Sequence, residues 1–261
     1  MRRFTRVIVA IVAVMVVSSF ASAASIVIKT SDGQGADAYA QGTTTNTAPF
    51  PNTGGSSSLV VKNGAAADQY TRKTYLRFDL AAWNGGSFAA ARLDLRISNN
   101  DDQGTPTDFV VEVLGLVDGY VGVDQSDPLD GDVTDEEDVH DEFWAESTLD
   151  WDSAPANVTT SGFSLTSDAV SLGTFNVTAN DTTADWVSFS SAALDNFIHA
   201  DTNGVITLIV RRTGAHAGGS SNLSFYSKEA SAASAPTLTL IPEPATLAML
   251  AMGSLGLIRR R

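Results

Sequence analysis

The sequence predicts an all-β fold, an antiparallel β-sandwich of jelly-roll type with roughly ten strands and one short helix near 191–199, over residues 24–241. Three observations carry this expectation. Short runs alternate apolar and polar residues with period two. Clusters of Gly, Asn, Asp and Ser separate those runs. No long segment of the interior repeats its apolar residues at helical spacing.

The first candidate strands are Ser25–Lys29, Ala38–Gln41 and Leu59–Lys62. In Arg72–Leu80, alternation sends Thr74, Leu76, Phe78 and Leu80 inward and Lys73, Tyr75, Arg77 and Asp79 outward. In Ala91–Ile97 the inward set is Ala91, Leu93, Leu95 and Ile97, with Arg92, Asp94 and Arg96 facing out. Phe109–Leu116, Val170–Val177, Trp186–Phe189, Val205–Arg211, Asn222–Ser227 and Pro236–Ile241 complete the set. Trp186, alternating with Val187 and Phe189, is expected in the core, and Trp83, ahead of Asn84-Gly85-Gly86, at an exposed turn. Ser190 or Ser191 can cap a helix over Ala192–His199, with Gly204 as its stop. No linker or internal repeat divides the interior, so one domain is expected.

Both ends read as addresses. Arg2, Arg3 and Arg6 precede the apolar run Val7–Val17, and Ala21-Ser22-Ala23 supplies a small-residue cleavage site, so residues 1–23 are expected to be a secretory signal peptide. At the other end Pro242-Glu243-Pro244 leads into an apolar stretch, Ala245–Ile258, stopped by Arg259-Arg260-Arg261. A short apolar segment with a terminal cationic cluster suits transient membrane contact with its basic end inside. The order over 242–261 resembles the PEP-CTERM sorting signal of Gram-negative bacteria. That resemblance implies processing by an exosortase-type membrane enzyme and a destination on the cell surface or in the extracellular matrix.

Charge excludes more than it assigns. The chain has 261 residues, a net charge of -14 and no cysteine. Disulfides and thiolate sites are thereby out, and no nucleic-acid partner is expected of so acidic a protein. His140, His199 and His216 form no metalloprotease pattern. Without the two ends the net charge is -19, and no Lys or Arg occurs between Arg96 and Arg211, where 23 acids lie.

Several stretches together resemble the DNRLRE domain, carbohydrate-binding module family 96. They are Asp37-Ala38-Tyr39, the run from Gly54-Gly55 to Lys62, Arg72 to Leu80, Phe88 to Leu95, Trp144 to Pro155, and Phe225 to Glu229. Trp144, Glu146, Trp151 and Pro155 make up the most specific motif, although Asp150 and Asp152 stand where the family commonly has Thr and Asn. The resemblance implies a jelly-roll module that, in known members, binds anionic polysaccharide such as alginate or accompanies polysaccharide-degrading enzymes.

The residues themselves admit alternatives. Trp144 and Trp151 are candidates for a sugar-stacking platform, or pack over the sandwich edge while Glu146 accepts backbone N–H groups. Lys73, Arg77, Arg92 and Arg96 are candidates for one cationic glycan-binding face if their strands are neighbours, or are a solvated face paired with Asp79 and Asp94. The segment 119–142 reads as an acidic insertion. Its Asp130, Asp132 and Asp135 are candidate Ca²⁺ ligands, or part of a solvating loop. Catalysis would need a fixed carboxylate pair, or a base such as Tyr75 beside Arg77, and no such constellation stands out. The expectation is an exported, non-enzymatic protein that binds extracellular polysaccharide. The rivals are a structural envelope or biofilm protein whose acidic loops calcium bridges, and a polysaccharide lyase or hydrolase.

Overall fold

Two antiparallel sheets face each other in a computed structural model that describes residues 24–42, 53–64, 71–102, 108–120, 142–159, 163–214 and 221–243. The strands are β1 (Ile26–Lys29), β2 (Ala36–Gln41), β3 (Ser58–Val61), β4 (Arg72–Asp79), β5 (Phe88–Asp102) and β6 (Phe109–Leu116). They continue with β7 (Ala169–Val177), β8 (Trp186–Phe189), β9 (Val205–Arg212), β10 (Ser221–Tyr226) and β11 (Thr237–Pro242). The first sheet has the order β1-β11-β5-β10-β3, with β8 also paired to β5; the second has the order β2-β4-β9-β6-β7. The chain changes sheet at every connection except β6–β7 and β10–β11. An all-β sandwich is therefore the fold.

Inward alternation builds the core between the sheets. Leu76 and Phe78 of β4, Leu93, Leu95 and Ile97 of β5, Val111 and Val113 of β6 and Leu208 and Val210 of β9 all bury there. β5 is longer than its apolar run because it holds three partners. It pairs β11 along Phe88–Asp94, β8 along Leu93–Arg96 and β10 along Ile97–Asp102. Among the described residues no helix is long and apolar enough to cross a membrane.

The helix forms where its cap predicts. In α1 (Ala192–Ala200) Ser191 Oγ accepts the Leu194 N–H at 3.0 Å and donates to Leu172 O at 2.8 Å, while Leu194 and Ile198 turn into the core. His199, at the last turn, stacks on Phe88 with ring centroids 4.0 Å apart. Ser191→Ala removes one orphan-donor partner and the tie to β7. It is expected to cost about 1 kcal/mol in urea unfolding.

The second sheet is buried on both faces, which alternation does not foretell. Ala36, Ala38, Ala40, Tyr75, Leu114, Leu116 and Ile209 form a second apolar cluster on its outer side. A strap, residues 142–157, covers them with Trp144, Leu149, Trp151, Ala154 and Ala156. The expectation that Lys73 and Tyr75 face solvent is corrected here, for both are essentially unexposed, at 1% and 0%.

Candidate functional site

Three places gather the chemistry. The first is the strap. Trp144 and Trp151 keep only 4% and 5% of their surface, so the structure puts both in the interior and neither offers a face to a sugar ring. Trp144 Nε1 donates to Thr207 Oγ1 at 3.1 Å, and its ring meets Tyr75 edge-on with centroids 6.1 Å apart. Trp151 Nε1 donates to Thr159 O at 3.2 Å. Lys73 Nζ, beneath Trp151 at 4.8 Å from the ring centroid, donates to Asn157 Oδ1 at 2.5 Å and Ser164 O at 2.7 Å. Arg77 donates to Trp144 O and lies over that ring, its Cζ 5.3 Å from the centroid. Tyr75 Oη donates to Pro155 O at 3.2 Å, and burial pushes its phenol far above the ordinary range. Tyr75 is thus enclosed, out of reach of a polymer that it would deprotonate.

The expected single cationic face does not exist. Lys73 and Arg77 stand on β4 in the second sheet, and Arg92 and Arg96 on β5 in the first. The strands follow each other in sequence but lie in opposite layers. Arg211 pairs with Glu112 at 2.8 Å and Arg212 is buried against Phe109, 4.6 Å from its centroid.

The second place is the outer face of the first sheet, which remains open. Register sets Val27, Thr239 and Arg92 in one row, and Lys29, Thr237, Asp94 and Ser188 in the next. Arg96 and Trp186 form a third. A concavity of about 480 Å³ is lined by Lys29, Arg92, Asp94, Trp186, Ser188, Ala233, Thr237 and Thr239. Trp186 is 46% exposed, which corrects its expected place in the core. The signal was present in period two: Trp186 shares a face with Ser188, while Val187 and Phe189 share the other. Arg92 Nε lies 2.9 Å from an Asp94 oxygen, with 47% of the arginine side chain exposed. Arg96 donates to Ala184 O and Ser234 Oγ and lies over Tyr226. Lys29 Nζ donates to Ala232 O at 2.9 Å. Among the described residues lining this concavity, Lys29 and Arg92 are the bases and Asp94 is the acid.

The third place is acidic. Among the described residues, two groups of carboxylates have the spacing to hold a metal ion: Asp37 with Glu146 and Glu229, and Asp118 with Glu142 and Asp201. In the first, burial and then the Glu229 charge push the Asp37 carboxyl up to about 7, against the lowering hydrogen bonds from Thr30 and the Lys228 N–H. In the second, burial raises Glu142 and Asp201, and Asp118 adds to both. The expected ligands Asp130, Asp132 and Asp135 lie outside the described residues, as do Ala21, Ala23, Pro244 and Arg259–Arg261. Pro242 closes β11, and Glu243 follows it.

Comparison with known proteins agrees with the motifs. Residues 29–114 match the model of carbohydrate-binding module family 96, and residues 240–261 match the PEP-CTERM protein-sorting motif. The first match runs from Lys29, the last residue of β1, to Leu114 in β6 and ends before the strap. No curated protein matches the chain. The module match points to carbohydrate binding, and the sorting motif to exosortase-dependent export to the envelope of a Gram-negative-type bacterium.

Proposed function

We propose that this protein is a non-catalytic polysaccharide-binding component of the bacterial surface or extracellular matrix. The reading starts from a carbohydrate-binding-module match joined to an envelope sorting motif. It assigns binding to the outer face of the first sheet, in place of the strap. One observation carries it: an exposed Trp186 borders a concavity that also presents Arg92 and Lys29. An indole face carries partial negative charge and meets the C–H face of a pyranose ring. Guanidinium and ammonium groups beside it suit the carboxylates of uronic acids, and an Arg fork can grip them bidentately. The ligand is therefore an anionic extracellular polysaccharide. The C-terminal segment makes the transient inner-membrane contact at which an exosortase-type enzyme acts.

Affinity electrophoresis tests this in gels containing alginate, pectin or a neutral glucan, with calcium present. The full chain is expected to be retarded by the uronate polymers. Trp186→Ala is expected to weaken retention at least about tenfold, and Arg92→Ala to weaken it further in low salt than in high. Because Trp186 is half exposed, its removal should change folding stability by less than about 1 kcal/mol. No retardation in any gel, or undiminished retention of Trp186→Ala, would sink the assignment. Release of unsaturated or reducing ends from the same polymers would replace it with an enzymatic one.

A further inference from the structure

Four separated stretches of the sequence converge on one carboxylate group. Asp37 comes from β2, Glu146 from the strap, and Lys228 and Glu229 from the turn after β10, with Thr30 from the turn after β1. Asp37 Oδ2 accepts from Thr30 Oγ1 at 2.5 Å and from the Lys228 N–H at 3.0 Å. Glu146 Oε1 accepts the Asp37 N–H at 2.7 Å. Lys228 Nζ bridges Glu146 Oε2 at 2.7 Å and Glu229 Oε1 at 2.5 Å. One oxygen from each of Asp37, Glu146 and Glu229 lies within 4.8 Å of the other two.

Those contacts leave a deficit. Asp37 is 1% exposed, yet its second oxygen, Oδ1, is buried with no hydrogen-bond partner. A carboxylate oxygen shut away from water without a donor is costly, and native structures seldom leave one so. Charge is short as well. Three carboxylates face one ammonium, a formal remainder of two negative charges. A divalent cation would supply that charge and a partner for the orphaned oxygen.

We propose that Asp37, Glu146 and Glu229 bind a divalent cation, Ca²⁺, that clasps β2, the strap and the turn after β10 together. Hard carboxylate oxygens from a strand, the strap and a turn suit Ca²⁺, which accepts six to eight oxygen ligands and completes its shell with water. Lys228 stays on the remaining oxygens of Glu146 and Glu229, or swings outward along its flexible stem. The site is structural. None of its three carboxylates lines the Trp186 concavity, and the site does not rest on the polysaccharide reading.

Isothermal titration of CaCl₂ into the full chain, together with thermal unfolding in CaCl₂ and in EDTA, provides the test. Saturable binding and a higher Tm in CaCl₂ are expected, because a ligand taken only by the native state stabilises it. Glu229→Gln, at the surface, is expected to fold and to weaken Ca²⁺ affinity at least about tenfold by removing one ligand charge. Asp37→Asn should do the same, with Glu229→Gln carrying the test if the buried change prevents folding. Asp118→Asn and a combined Asp130→Asn, Asp132→Asn, Asp135→Asn variant serve as controls and are expected to keep that binding. Absence of calcium binding, or wild-type affinity in Glu229→Gln, overturns the proposal. Polysaccharide retention by Glu229→Gln, measured alongside, separates failure here from failure of the glycan face.

Discussion

Trp144→Ala is expected to lower the unfolding free energy by about 3–5 kcal/mol, the range for deleting a large buried aromatic. The ring is almost wholly enclosed, packs edge-on against Tyr75, and lies under the Arg77 guanidinium. Its indole N–H also satisfies Thr207 on β9. Truncation therefore opens a cavity in the outer cluster of the second sheet and leaves a polar contact unmade. Urea unfolding measures the loss. A cost below about 1 kcal/mol would mean that the ring is a surface group after all, and would restore it as a sugar-stacking candidate. The contrast with Trp186 is the sharpest discrimination available, since one tryptophan should govern stability and the other retention on polysaccharide.

Lys73→Ala should cost about 2–4 kcal/mol, far above the few tenths typical of a solvated lysine. The side chain is 1% exposed and its ammonium serves Asn157 Oδ1 and Ser164 O across the strap. Alanine leaves a cavity and two acceptors without that donor. Lys73→Met keeps most of the volume and is expected to cost less, about 1–3 kcal/mol, because only the hydrogen bonds go. Equal costs for the two variants would mean that the ammonium, and not the stem, holds the strap. A cost near zero for both would contradict the burial of β4.

These two residues show where sequence reasoning stopped. Alternation separates the faces of a strand correctly: Leu76 and Phe78 go one way and Lys73 and Tyr75 the other. It carries no information on what covers each face. The covering strap, residues 142–157, begins 67 positions after Tyr75 in sequence, and only long-range packing brings them together. Lysine on a strand reads as solvated by default, because lysines are seldom fully buried. Trp186 erred in the opposite direction. Its residue type argued for the core, while its parity with Ser188 argued for the surface, and parity won.

The acidic composition was legible in part. The absence of bases between Arg96 and Arg211 is a property of the sequence, and Glu142 and Asp201 feel it as like-charge pressure from Asp118. The Asp37 group was not legible as a unit. Its carboxylates stand 109 and 192 positions apart from the first to the others, and no local spacing rule spans such distances.

By itself the sequence determined the C-terminal sorting motif, the strand positions, the Ser191-capped helix and the all-β class, because each depends on neighbours within a few residues. Only the tertiary structure decided which strands share a sheet, that one sheet is covered on both faces, and which tryptophan meets solvent. It also decided which carboxylates stand together. Those properties are set by contacts between segments far apart in the chain, where burial of apolar area and satisfaction of buried polar groups outweigh local preference.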